Sequence, residues 1–415
     1  MSSSLVSRDV VIVGAGQAGA DLAAALRQNR YAGSVTLVGD EPHLPYRRPP
    51  LSKAGLTGEL TGDSLLLRRS TFYEAQAIEC RTGVAASAID RARRELQLSD
   101  GARLAYGHLV LATGGRPRPL PWPHADRPNV HMIRTLDDAH RLRAELVQGR
   151  RLVVIGAGYI GLEAAASACK RGLRVQVVEA QPRVLARSVG PALSSFLEAA
   201  HRRRGIDLRI GVGIEALEGG DTVTCVRLQD GSALACDLVL VGIGLLPNTA
   251  LAEAAGLEVD NGIVVDAHAR TADPHILAIG DCANHFNGHF GRSMRLESVP
   301  SATEQARTAA LTLCGQPTPH HSVPWFWSEQ FDLKLQMVGL ADGHTQCVVR
   351  EVDDPDAFCA FYLREQRVIA VHAVNRPQDF MLAKRMVAEG WQVDAARLAD
   401  AGTALKSLAP EAIGA

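Results

Sequence analysis

The chain has no close pair of cysteines. Its eight, Cys80, Cys169, Cys225, Cys236, Cys282, Cys314, Cys347 and Cys359, are scattered, and no two stand at C-x2-C or C-x4-C spacing. That pattern excludes an internal disulfide relay, which needs two adjacent thiols, and a zinc or iron–sulfur site, which needs several. Isolated cysteines are expected to serve as small buried hydrophobes. No metal site is expected.

Aromatic residues are scarce, at 5% of the chain, and the formal net charge is only −1. No global basic field points to nucleic acid, and neither end carries a block of like charges. The longest apolar stretches, such as 238–246, fall short of the roughly 20 residues that a membrane helix needs. The opening MSSSLVSRDVVIVGAG has no apolar segment ahead of its first strand, so no targeting signal is expected. The expectation is a cytoplasmic protein without membrane or nucleic-acid partners. Its 415 residues, 47% of them apolar, suffice for two to four packed domains at roughly 100–200 residues each.

What the sequence does contain is an internal echo. DVVIVGAGQAGADLAAALRQN (9–29) and RLVVIGAGYIGLEAAASACKRG (151–172) each give a short apolar run, then G-x-G-x-x-G, then an alanine-rich helical pattern. Each is followed by a second β run, 34–38 and 174–178, that leads to an acid, Asp40 or Glu179. The same nucleotide-binding unit is present twice. A pyrophosphate needs backbone N–H donors and the positive end of a helix. Gly14 permits the tight turn, Gly16 the close approach of the backbone around Ala15, and Gly19 the packing of helix on strand. Gly156, Gly158 and Gly161 repeat the logic, with Ile160 in the second loop. Asp40 or Glu41, and Glu179, can accept from ribose hydroxyls. A carboxylate at Glu179, with no arginine directly after it, favours NADH over NADPH. Two dinucleotide sites imply one nucleotide held and one exchanging.

Further along, 109–115 (LVLATGG) reads as a buried strand, 116–123 (RPRPLPWP) as a proline-rich crossing, 237–244 (DLVLVGIG) and 276–281 (ILAIGD) as strands, and 302–313 as a helix. From Pro324 alternating residues suggest antiparallel strands, and 378–408 suggests two helical stretches.

These residues resemble a family. PYRRPPLSK (45–53), LVLATGGRPRPLP (109–121), VVIGAGYIGLEAA (153–165), VGIGLLPN (241–248), AIGDCA (278–283), LESVPSATEQA (296–306) and PWFWSEQ (324–330) are similar to the pyridine-nucleotide-dependent flavoprotein reductases with two Rossmann units. Within them the chain is most similar to the NADH-dependent ferredoxin reductases of bacterial oxygenase systems, the putidaredoxin reductase type. The resemblance implies an α/β fold with two Rossmann-like dinucleotide-binding domains and a small α+β C-terminal domain. The expected divisions are an FAD domain at 1–117 and 247–322, an NAD domain at 118–246 and the last domain at 323–415.

The resemblance also implies roles. Asp40 would hold the FAD ribose and Asp281 the ribityl chain. Arg48, Lys53 and Arg134 would lie along the flavin, Ala86 and Val299 would line its pocket, and Trp327 would face the ring, with Trp325 in a core. Gly244 would help to hold NAD. Lys53, paired with Glu163, would stabilise the reduced ring and face the nicotinamide. Relatives with a thiol relay carry cysteines near the flavin; none stands in those positions here. Electrons taken as hydride from NADH by FAD would therefore leave singly for an external [2Fe–2S] ferredoxin that supplies a haem-thiolate monooxygenase. Docking would use Arg307, with Arg68 and Arg69. A Rieske-type dioxygenase or rubredoxin system, an FAD/NADH-binding redox sensor and an NADH oxidase are the competing readings.

Overall fold

The computed structural model describes residues 9–350 and 353–410. The start of the N-terminal stretch, 1–8, lies outside the described residues, and with it part of the expectation about targeting. The chain forms two compact units. One comprises the described parts of Met1–Arg48, Thr61–Arg116 and Leu245–Ser322; the other comprises Pro49–Leu60, Pro117–Gly244 and the described parts of Val323–Ala415.

The first unit is built on a five-stranded parallel sheet in the order Ile276–Ala278, His108–Leu111, Val10–Val13, Val35–Val38, Ile78–Arg81. The strand Val10–Val13 is apolar at every position because both faces of the sheet are covered. On one face the helices Gln17–Gln28 and Val299–Leu313 pack Leu22, Leu26, Ala306 and Ala310 against Val10 and Ile12. On the other, Val11, Val13, Leu109 and Leu111 meet Leu96 and Leu98 of a three-stranded antiparallel sheet (86–105). The central strand is the first in sequence, with Val35–Val38 and then Ile78–Arg81 added on one side and His108–Leu111 and then Ile276–Ala278 on the other. Its carboxyl end is therefore a switch point, where α/β sheets bind ligands.

The second unit repeats the plan with Asp207–Ile210, Arg174–Glu179, Arg151–Ile155, Leu238–Val241 and Val130–His131, all parallel. An antiparallel trio from Ile214 to Ala235 covers one face. The same unit contains the C-terminal antiparallel sheet, ordered Trp325–Gln330, Leu333–Gly339, Arg367–Val374, Phe358–Arg364, Gln346–Arg350. The helix Pro377–Glu389 packs Phe380, Ala383 and Met386 onto it. Among the described residues no helix is long and apolar enough to cross a membrane.

Three details differ from the sequence reading. The helix expected from Ala302 starts at Val299, because Ser298 Oγ accepts from Ser301 N–H at 3.2 Å and Pro300 fits the first turn. Segment Pro49–Leu60 groups with the second unit rather than with the strands that flank it in sequence. Cysteines are less uniformly buried than expected: Cys236, Cys282 and Cys359 are buried and Cys347 is exposed, because it lies on the outer face of an edge strand.

Several imidazoles sit in these cores uncharged. Burial holds His201 and His320 down to about 4, and His285 and His372 to about 3. Their folded values lie below the unfolded value, so the unfolded chain alone takes up protons as pH falls from about 6.5 towards 4. Each site then withdraws up to about 1.4 kcal/mol of stability per pH unit. The apparent Tm should fall clearly from pH 7 to pH 5, above the range where carboxylates protonate. Equal Tm values at the two pH values would contradict neutral burial.

Candidate functional site

In the first unit the turn after Val10–Val13 is forced by glycine. Gly14 has φ +116°, and a Cβ there would lie 2.1 Å from the Ala112 carbonyl oxygen. A Cβ on Gly19 would lie 2.0 Å from the Gly14 oxygen. Gly16 is different: with φ −86° it is not strained, and nothing lies within 4 Å of its Cβ position. It therefore faces open space at the start of helix Gln17–Gln28. No side chain caps that helix, and no acid occupies its first turn. Its first N–H groups, with Ala15 at the crest of the turn, suit a pyrophosphate. An FAD fits this half-site by that open cradle.

Two acids follow the next strand. Glu41 accepts from Arg48 at 2.6 Å and from the Tyr46 hydroxyl, and Arg48 lies 5.3 Å above the Tyr46 ring. Asp40 is exposed. Of the two, Asp40 is thus the acid left exposed, and Arg48 is tied to Glu41. Asp281 sits in the short turn Gly280–Cys282 just after Ile276–Ala278. Gly280, φ +77°, would place a Cβ 2.9 Å from Ala18 Cβ, and its N–H donates to Gln305 Oε1 at 2.8 Å. Asp281 is therefore held at the same sheet edge as the Gly14–Gly19 turn. Val299 opens its helix half-buried, and Ala86 is half-buried opposite Leu98.

The second unit repeats the turn. Gly156 has φ +100° with a Cβ position 2.4 Å from the Gly242 oxygen, and a Cβ on Gly161 would stand 2.1 Å from the Gly156 oxygen. The nearest atom to a Gly158 Cβ is 3.8 Å away, and Ile160 is exposed beside it. Glu179 Oε2 accepts the Ala157 N–H and Oε1 the Gln181 N–H, each at 2.8 Å. This carboxylate borders the loop, where it suits ribose hydroxyls and repels a 2′-phosphate. Gly244, exposed with φ +115°, has the Arg187 guanidinium 3.6 Å from its Cβ position.

The same unit contains a buried ion pair. Lys53 Nζ lies 2.8 Å from Glu163 Oε2, with side chains 15% and 5% exposed. Glu163 is on the buried face of helix Tyr159–Lys170, and Lys53 follows the turn Pro49–Ser52. Four residues along that helix, Ser167 Oγ donates to the Ser52 carbonyl at 2.9 Å, which clamps the turn. Glu163 also accepts from Ser52 Oγ and Ser328 Oγ, both at 2.6 Å.

Trp327 is half-buried, 5.6 Å from Trp325, whose ring carries Lys384 Nζ at 3.7 Å and borders the C-terminal core. Arg134 is half-buried, and its backbone N–H donates to Asp138 at 3.1 Å. Arg307 is exposed on its helix and pairs with Glu304 at 2.5 Å. Arg69 is exposed, but Arg68 is committed to Asp21 at 3.2 Å and to the Phe72 face. Sequence reasoning missed Ser52, His201, Gln305, Ser328 and Gln330. Alternation in WFWSEQ does put Phe326, Ser328 and Gln330 on one strand face, opposite both tryptophans. Two polar residues on a buried face were the available signal.

The glycine geometry separates folding from binding. Gly16→Ala should fold with a wild-type circular dichroism spectrum yet retain FAD at least about tenfold more weakly, because its methyl enters the open cradle. Gly14→Ala should fail to fold, since backbone would have to move. Tight FAD retention by folded Gly16→Ala protein would remove this turn from the cofactor site.

Residues 8–306 match the model of the pyridine nucleotide-disulphide oxidoreductase family, and residues 325–409 match a reductase C-terminal domain. The chain is 46% identical to putidaredoxin reductase CamA of Pseudomonas putida over 407 residues, 96% of each chain. It is 45% identical to the 5,5'-dehydrodivanillate O-demethylase ferredoxin reductase subunit of Sphingobium sp. over 403 residues, 96% of this chain and 98% of that one. Among solved structures, the covalent putidaredoxin reductase–putidaredoxin complex matches with a TM-score of 0.93 and 45% identity, covering 96% of this chain and 97% of that one. The chain belongs to the pyridine nucleotide-disulphide oxidoreductase family, with a reductase-type C-terminal domain.

Proposed function

We propose that this chain is an FAD-dependent NADH:ferredoxin reductase, which takes hydride from NADH and passes single electrons to a [2Fe–2S] ferredoxin. The observation that carries the reading is the pair of open, uncapped glycine turns, one per unit, in a chain without paired thiols. FAD, when bound, supplies the conversion of a two-electron donor into one-electron steps. The chain's thiols cannot do that work. Cys282, next to Asp281, is fully buried and its thiol is pushed up; burial also drives Cys80 up to about 11. Such thiols are poor nucleophiles, so the electrons need an external acceptor.

The residues divide the labour. The turn Gly14–Gly19 holds the FAD pyrophosphate and Asp40 its ribose, while Asp281, Arg48, Ala86 and Val299 of the same unit complete its surroundings. The turn Gly156–Gly161, with Ile160 and Gly244, holds NADH, and Glu179 selects against NADPH. Lys53 supplies a fixed cation for the negative charge that reduction adds, and Glu163 orients it. Arg307 presents an exposed positive charge to an acidic ferredoxin. The proposed domains remain 1–117 with 247–322, 118–246 and 323–415, although segment 49–60 of the first groups with the compact unit that contains the other two. The setting is the cytoplasm, and the terminal acceptor is a haem-thiolate monooxygenase. An O-demethylase system is the second reading, favoured by the demethylase relative.

NADH should drive cytochrome c reduction strongly only when a [2Fe–2S] ferredoxin is added, and NADPH should not replace it. Flavin that NADH bleaches but ferredoxin does not reoxidise would overturn the acceptor. Lys53→Ala should slow flavin reduction on the order of 10- to 100-fold. It also leaves a buried carboxylate without its counter-ion, at about 3–5 kcal/mol of stability. Adding Glu163→Gln should recover stability but not rate, as denaturation and stopped-flow traces would show; full rate recovery would remove Lys53 from the mechanism.

A further inference from the structure

Glu163 is the end of a longer buried chain. His201 Nε2 lies 2.7 Å from Gln330 Oε1, Gln330 Nε2 lies 3.1 Å from Ser328 Oγ, and Ser328 Oγ lies 2.6 Å from Glu163 Oε1. His201 and Ser328 are 0% exposed and Gln330 is 1%. Polar groups this deep destabilise the fold unless each is satisfied, so the order of donors along the chain is constrained.

That order follows from the carboxylate. A carboxylate paired with an ammonium only accepts, so Ser328 gives its single proton to Glu163. Ser328 Oγ must then accept from Gln330, which turns the Gln330 amide nitrogen towards it and the amide oxygen towards His201. The oxygen can only accept, so His201 carries its proton on Nε2. Nδ1 is then a bare lone pair, and it is buried without a hydrogen-bond partner. A lone pair is the cheaper atom to leave there than an N–H. Every proton in the chain points towards Glu163.

The two oxygens of Glu163 are thereby pinned from opposite sides. Oε1 is held from strand Trp325–Gln330, and Oε2 from the turn that carries Ser52 and Lys53. A carboxylate with one free oxygen can swing about its terminal torsion, which is broad; this one cannot. Lys53 Nζ has one further anchor, the Pro49 carbonyl at 3.2 Å. We propose that Ser328, backed by Gln330 and His201, is a positioning residue for hydride transfer, acting through Glu163 on the Lys53 ammonium. This inference rests on the reading of Lys53 as the cation beside the flavin. It gives the C-terminal sheet a part in the NADH half-reaction.

The test compares flavin-loaded Ser328→Ala, Ser328→Thr, Lys53→Ala and the Ser328→Ala/Lys53→Ala double variant in stopped-flow reduction by NADH. Ser328→Ala should reduce the limiting rate about tenfold while the apparent Kd for NADH stays within about twofold, and Ser328→Thr should restore most of the rate. In the Lys53→Ala background, Ser328→Ala should add nothing, because its route to the flavin is already cut. An undiminished rate in Ser328→Ala, or a further tenfold loss in the double variant, would overturn the proposal. An undiminished rate in Lys53→Ala would sink the underlying reading, and the proposal with it, whatever Ser328→Ala does. A second measurement needs no turnover. Nitrogen-15 spectra of histidine-labelled protein, with His201 assigned through His201→Gln, should show the Nε2–H form near neutral pH; an Nδ1–H form would reverse the chain and end the argument.

Discussion

Taking an ammonium and a carboxylate out of water costs several kcal/mol per ion, and their attraction offsets this only when the remaining hydrogen-bonding capacity is also met. Lys53 and Glu163 satisfy that condition with contributions from three separate stretches of chain: the turn 49–52, helix Tyr159–Lys170 and strand Trp325–Gln330. A buried pair of this kind is weak evidence for stability, since apolar residues of similar volume often do as well. Its presence, with Ser52, Ser328, Gln330 and His201 arranged around it, accords with the proposed role of Lys53 as a cation held in one place.

The two glycine turns meet a different constraint, and they meet it in the same way. In each, the first and last glycines are required by the fold itself, since a Cβ would stand 2.0 to 2.4 Å from backbone oxygen. The middle glycine is not: Gly16 has nothing within 4 Å, and Gly158 has its nearest atom at 3.8 Å. Folding alone would tolerate alanine at the middle positions, and their glycine character is accounted for by the ligand approach proposed above. Both helices begin without a side-chain cap, which leaves their N–H groups available for phosphate.

Charge is distributed in keeping with this division. The acids at the strand ends behave differently: Glu41 is consumed by Arg48 and Tyr46, Asp40 is exposed, and Glu179 is braced by two backbone N–H groups at the mouth of its loop. Arg68 is likewise consumed, by Asp21, whereas Arg307 stays exposed on its helix. Residues of one type thus differ in how far a partner screens them from solvent, and Arg307 stays exposed although it pairs with Glu304.

The sequence by itself determined the two parallel-sheet units, because apolar runs followed by G-x-G-x-x-G and an alanine-rich helix have one low-energy arrangement. It also determined the candidate acids at the strand ends, Asp40 or Glu41 and Glu179, and the absence of a thiol relay, since each depends on residues close in sequence. Motif resemblance added Lys53, Glu163 and Asp281. Only the tertiary structure showed that Glu41 is paired while Asp40 is exposed, and that helix 299–313 starts at Ser298's cap. It alone joined His201, Gln330, Ser328, Glu163 and Ser52. Those five are separated by up to 278 positions, and no local periodicity encodes a hydrogen bond between a helix and a strand that distant in the chain. Their meeting is set by packing, and the direction of their protons by the one carboxylate on which they converge.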